Sequence, residues 1–70
     1  MTVMYHEITI DPINAPMYMD ILVKYGAQDM REFPEDDGES TLRFAADSFE
    51  TMQYLKAVLV GITNTLAWLE

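Results

Sequence analysis

Apolar and polar residues alternate near the start of the chain. Met4, His6, Ile8 and Ile10 fall on one side, with Val3, Tyr5, Glu7 and Thr9 on the other. A period of two belongs to a half-buried strand, so a first strand is predicted near residues 2–11. The prolines of "DPINAP" end it, because each lacks a backbone donor and restricts the residue before it. In "MYMDILVKY", Met17, Met19, Ile21, Val23 and Tyr25 alternate against Tyr18, Asp20, Leu22 and Lys24. This predicts a second strand over 17–25, broken at Gly26. Residues 27–39 read as an acidic loop, with room for a short strand around Met30 to Phe33. "STLRFAA" predicts a third strand over 40–46, with Leu42, Phe44 and Ala46 facing one way and Thr41, Arg43 and Ala45 the other.

The period then changes. Met52, Leu55, Leu59, Ile62, Leu66 and Leu69 recur every three or four residues, which places them on one stripe of a helix over 47–69. Asp47 is the expected N-cap, with Glu50 completing a capping box. Both acids sit favourably at the positive end of the helix dipole. The predicted fold is α+β, a single domain over 1–70. Three antiparallel strands in β-β-β-α order carry one long C-terminal helix on one face.

This helix has more apolar circumference than a three-stranded sheet covers. Beside the core stripe runs a second, of Tyr54, Ala57, Val58, Gly61, Thr65 and Trp68, and Lys56 is the sole charge between Thr51 and Leu69. Gly61 lies seven residues from both Tyr54 and Trp68. A glycine there costs about 1 kcal/mol relative to alanine, which a close approach by another chain would offset. Tyr54, Val58, Gly61, Thr65 and Trp68 are therefore the predicted interface of a homodimer, most simply across a two-fold axis.

Length and composition point the same way. A chain of 70 residues buries only about 60% of its unfolded surface and needs help to be stable. It has no cysteine and one histidine, which excludes disulfides, thiolate metal sites and multi-histidine sites, and leaves association. Absence of cysteine fits a reducing interior, and no signal-peptide pattern opens the chain, so a cytoplasmic location is expected. Thr63, Asn64 and Thr65 interrupt the last apolar run, which argues against a membrane span.

The net charge is −8, which opposes direct nucleic-acid binding and favours a partner protein with a basic surface. Six of the twelve acids lie between Asp29 and Glu39. Glu35, Asp36, Asp37 and Glu39 are candidate partner-binding residues, for which Gly38 implies flexibility. Tyr5, Tyr18 and Leu22, on the predicted outer sheet face, are the second candidate surface, since tyrosine gives contact area at low entropy cost.

Catalytic patterns fail. His6 lies on the predicted core face, and Glu7, its strand neighbour, points to the opposite side. Ser40 and Ser48 belong to no nucleophile elbow. With Gly38 at the sixth position of a calcium loop, the first and twelfth positions would be Phe33 and Phe44, which cannot ligate. Gly26, Gly38 and Gly61 are too far apart to cradle phosphate. No enzyme activity, metal or cofactor is expected.

In its size, absence of cysteine, acidity and short sheet-then-helix order, the chain resembles the small acidic inhibitors that phages encode, anti-CRISPR proteins among them. That class shares no motif, so no functional residue carries over. The resemblance implies stoichiometric blocking of a nucleic-acid-binding complex or nuclease. An immunity protein or antitoxin that neutralises a basic toxin, and a small structural homodimer subunit, are the alternatives.

Overall fold

The structure, a computed structural model, describes residues 3–69. Met1, Thr2 (the first residue of the predicted first strand) and Glu70 lie outside the described residues. The elements are β1 (Met4–Ile10), a 3-10 turn (Pro12–Asn14), α1 (Ala15–Lys24), β2 (Gln28–Pro34), β3 (Ser40–Ala46) and α2 (Phe49–Leu69). The α+β class, the three-stranded antiparallel sheet and the long C-terminal helix are as predicted. The order is β-α-β-β-α, and a short helix replaces the predicted second strand.

Residues 17–25 are helical because their ends dictate it. The Asp11 carboxylate accepts from the Ile13 amide at 3.1 Å and caps the turn begun by Pro12. Pro16 sits in the first turn of α1, where its missing donor costs nothing. Gly26 closes the other end with φ at 109°, a left-handed conformation that disfavours side chains. There the Gly26 amide donates to the Val23 carbonyl at 3.1 Å and the Ala27 amide to Leu22 at 2.9 Å. Within those limits Ala15, Tyr18 and Leu22 form the buried stripe.

The third strand comes instead from the acidic segment. β2 and β3 form an antiparallel hairpin, and β3 also pairs with β1, so the sheet order is β1-β3-β2. β1, α1 and β2 thus make a split β-α-β unit with β3 inserted between its strands. β1 pairs with β3 without interruption from Met4↔Ala46 to Ile10↔Ser40, whereas β2 has an irregularity between Gln28 and Arg31.

α2 starts at Phe49, two residues later than predicted. Its cap is Ser48, whose Oγ accepts from the Thr51 amide at 3.1 Å, and Asp47 lies outside the helix. Both helices cover one sheet face, closing a core around Leu22, Leu42, Phe44, Met52 and Leu55. Tyr18 and Thr63 join α1 to α2 through a 3.2 Å hydroxyl–hydroxyl bond. At about 1.5 Å per residue α2 is roughly 32 Å long, against roughly 23 Å for a seven-residue strand. Its last turns outrun the sheet.

Candidate interaction surfaces

The first surface is a groove of about 420 Å³ between the helices. Met17, Ile21 and Tyr25 form one wall, and Tyr54, Val58 and Leu66 stand on the other. Among the described residues no charged side chain lines it. The Tyr25 and Tyr54 rings close one end edge-to-face, 5.6 Å apart. Gly61 borders the groove, and a Cβ built on it would meet nothing within 4 Å, so no part of the protomer uses the space that glycine leaves. Four of the five predicted interface residues line this groove: Val58 is half-buried, and Tyr54, Gly61 and Thr65 are exposed, whereas Trp68, 87% exposed, stands outside the lining. The Thr65 hydroxyl donates back to the Gly61 carbonyl at 2.8 Å.

The second surface is the β2–β3 turn. The Glu35 amide donates to the Glu39 carbonyl at 2.8 Å and the Gly38 amide to Glu35 at 3.3 Å. Gly38 has φ at 87°, the left-handed position such a hairpin turn requires. Asp37 Oδ1 accepts from the Glu39 amide at 3.0 Å, and Glu35 Oε1 from the Thr41 hydroxyl at 2.7 Å. Gly38 gives the turn its shape, and Glu35, Asp36, Asp37 and Glu39 project from a hydrogen-bonded scaffold.

The open sheet face continues from that turn. Arg43, in the central strand, lies between the rings of Tyr5 and Phe33, its guanidinium carbon 5.3 and 5.2 Å from their centroids. Among the described residues no carboxylate pairs with it, and its buried Nε has no hydrogen-bond partner. Attraction between the cation and the two ring faces compensates. Arg31 stands opposite Arg43, a repulsive placement relieved by Asp29, which takes a 3.3 Å contact from Arg31 Nε. Asp29 also accepts from the Tyr5 hydroxyl at 3.3 Å.

Two predicted binding residues are corrected. Tyr18 and Leu22 are 5% and 0% exposed on the inner side of α1 and beyond a partner's reach. The alternation of a strand would put them outside, whereas the helical period turns them towards the core. Tyr5 alone of that trio lies on the open face, 54% exposed. Sequence reasoning missed Met17, Ile21 and Tyr25 for the same reason. It also missed the stacking of Arg43 on Phe33, which needs β2 to be a strand.

His6 is half-buried with its ring edge-to-face on Phe44, 5.8 Å away. Burial, and then the charge of Lys56, lower its pKa from the ordinary 6.5. Among the described residues no group of three potential metal ligands occurs, and no helix is long and apolar enough to cross a membrane. Comparison with protein-family models, curated proteins and solved structures finds no match.

Proposed function

We propose that this protein is a non-enzymatic interaction module. It pairs with its own copy through the α1–α2 groove and presents an acidic surface to a basic partner protein, in the manner of a stoichiometric inhibitor. The observation that carries the reading is the uncharged, unfilled helical face. Trp68, Leu69, Tyr54, Tyr25 and Met17 remain 87%, 72%, 53%, 42% and 37% exposed. At about 150–250 Å² per large side chain, roughly 600 Å² stays in water. A standard interface takes about 800 Å² from each partner, and Val58 and Leu66 supply part of the difference. A second copy matches the groove in its lack of charge, whereas a basic partner would find nothing there to pair with.

The ordered hairpin turn supports acidic capture. The Asp37 carboxylate, held by the Glu39 amide, and that of Glu35, held by the Thr41 hydroxyl, lose less freedom on binding than free side chains would, so more of their attraction appears as affinity. Salt separates the two surfaces. Capture of a basic partner weakens between low and physiological salt, while assembly through an uncharged groove changes little.

Sedimentation velocity of the native protein and of Gly61→Arg is the test of self-association. The native chain is expected to pass from monomer to dimer with rising concentration, and the variant to stay monomeric with unchanged circular dichroism. A native protein that is strictly monomeric at several hundred micromolar overturns the dimer. Affinity capture from host lysate with mass spectrometry tests the acidic turn, comparing the native chain with one in which Glu35, Asp36, Asp37 and Glu39 become Gln or Asn. A basic protein lost from the second capture supports the reading, and an unchanged capture removes the turn from it.

A further inference from the structure

The two edges of the sheet are unlike. β2 is poorly suited to receive another strand: Asp29, Arg31 and Glu32 put charge along it, its register is irregular between Gln28 and Arg31, and Pro34 ends it without a donor. β1 has none of these protections. Met4–Ile10 contains no proline, pairs with β3 without a break and carries one charge, Glu7. Among the described residues, its outer row of backbone donors and acceptors faces no strand.

Beside that edge the helical layer overhangs. Two packed helices span about 20 Å and three strands about 14 Å, a difference close to one strand spacing of about 4.8 Å. The excess lies over β1, where a cleft of about 340 Å³ opens between the strand and α2, and a second of about 460 Å³ continues past Ile10 to Asp11, Asn14 and Tyr18. His6 and Ile8 form the strand side of the first, and Leu59, Val60 and Asn64 roof it, with Lys56 at the rim. This explains why Met4, His6 and Ile8 are only half-buried although they face the helices.

We infer that β1 accepts an extended segment of a partner protein as a fourth strand, one that alternates apolar with Lys or Arg residues. Main-chain pairing supplies attachment, and alternate side chains supply selectivity. Apolar positions fall beside His6 and Ile8, under Leu59 and Val60. The intervening positions fall on the open face beside Tyr5, Glu7 and Thr9; Arg43 stands opposite Glu7 on its inner side, so a cation is favoured only on the outer side of Glu7, where the chain's net charge of −8 adds to the attraction. Lys56 discourages cations on the helix side, which fixes the register. A second copy fits less well, because its own β1 lies beneath its own overhanging α2 and the two helices would compete for one space. The site is separate from the α1–α2 groove, so each succeeds or fails independently.

The probe is a capped seven-residue peptide alternating Lys and Val, the length of β1, titrated into isotopically labelled protein. A peptide of the same composition with its valines clustered, and one alternating Glu and Val, are the controls. The alternating basic peptide is expected to bind about tenfold or more tightly than either. Amide shifts should concentrate on Met4–Ile10 and on Lys56, Val60 and Asn64 of α2. Val60→Trp, at a position 59% exposed, fills the cleft and should weaken binding about tenfold without altering the rest of the spectrum. Equal binding of the clustered peptide, shifts confined to the α1–α2 groove, or no binding at millimolar peptide overturns the inference. So do β1 shifts that grow with protein concentration alone, which would assign the edge to a second copy.

Discussion

Replacing Trp68 with Ser separates the stability of one protomer from that of the assembly. Trp68 is 87% exposed within its own chain. A tryptophan offers up to about 250 Å², so the protomer hides only some 30 Å² of it, worth about 0.8 kcal/mol at roughly 25 cal/mol per Å². Unfolding by urea at low micromolar concentration should therefore shift by no more than about 1 kcal/mol. The remaining surface, roughly 220 Å², would contribute up to about 5 kcal/mol if a second copy covered it fully. Association recovers only part of such a figure. Even a quarter of it, counted once for each protomer, is about 2.5 kcal/mol, a weakening of the dimer by between ten- and a hundredfold. Sedimentation equilibrium over a wide concentration range measures that change. The reasoning fails if the dissociation constant is unmoved, or if the monomer loses several kcal/mol, since Trp68 would then be packed inside its own chain.

Three further outcomes follow from the same structure. Leu22→Ala should lower unfolding free energy by about 2–5 kcal/mol in urea titration, because Leu22 is fully buried, and partner capture by the folded fraction should not change. Gly61→Ala should raise monomer stability by up to about 1 kcal/mol, since its Cβ meets nothing within 4 Å, while weakening the dimer in sedimentation. His6 has a lowered pKa in the fold, so the unfolded chain binds its proton first as pH falls. Its contribution is present above the unfolded value of 6.5 and is lost as pH drops from there through the folded pKa. Comparing the pH dependence of urea midpoints for the native chain and His6→Gln isolates that loss.

The long helix was legible in the sequence because one period dominates it. Met52, Leu55, Leu59 and Ile62 are buried as their spacing predicts. Leu69, on the same stripe, is 72% exposed because α2 extends past the sheet, and periodicity does not report where the opposing layer stops. α1 was misread for a different reason. Between Met17 and Tyr25 only Asp20 and Lys24 are charged, so both periods fit, and the deciding information sat at the ends in Pro16 and Gly26. β2 was hidden because both its faces meet water along much of its length, so it needs no alternation, and its charges resemble those of a loop. The site followed the fold. Tyr54, Val58 and Trp68 could be grouped from helical spacing alone, whereas Tyr25 joined them only once α1 turned it towards Tyr54.

The position of β3 between its neighbours sets the order in which the sheet can assemble. Pro34 and Ser40, six residues apart, meet at the hairpin, while on the other side of β3 the nearest pair, Ile10 and Ser40, is 30 residues apart. Closing the longer loop costs about 1.4 kcal/mol more in chain entropy, so the acidic turn is expected in place early and β1 late. The amino-terminal strand should then be the first to detach in native-state amide exchange, leaving the carboxylates of the hairpin still displayed.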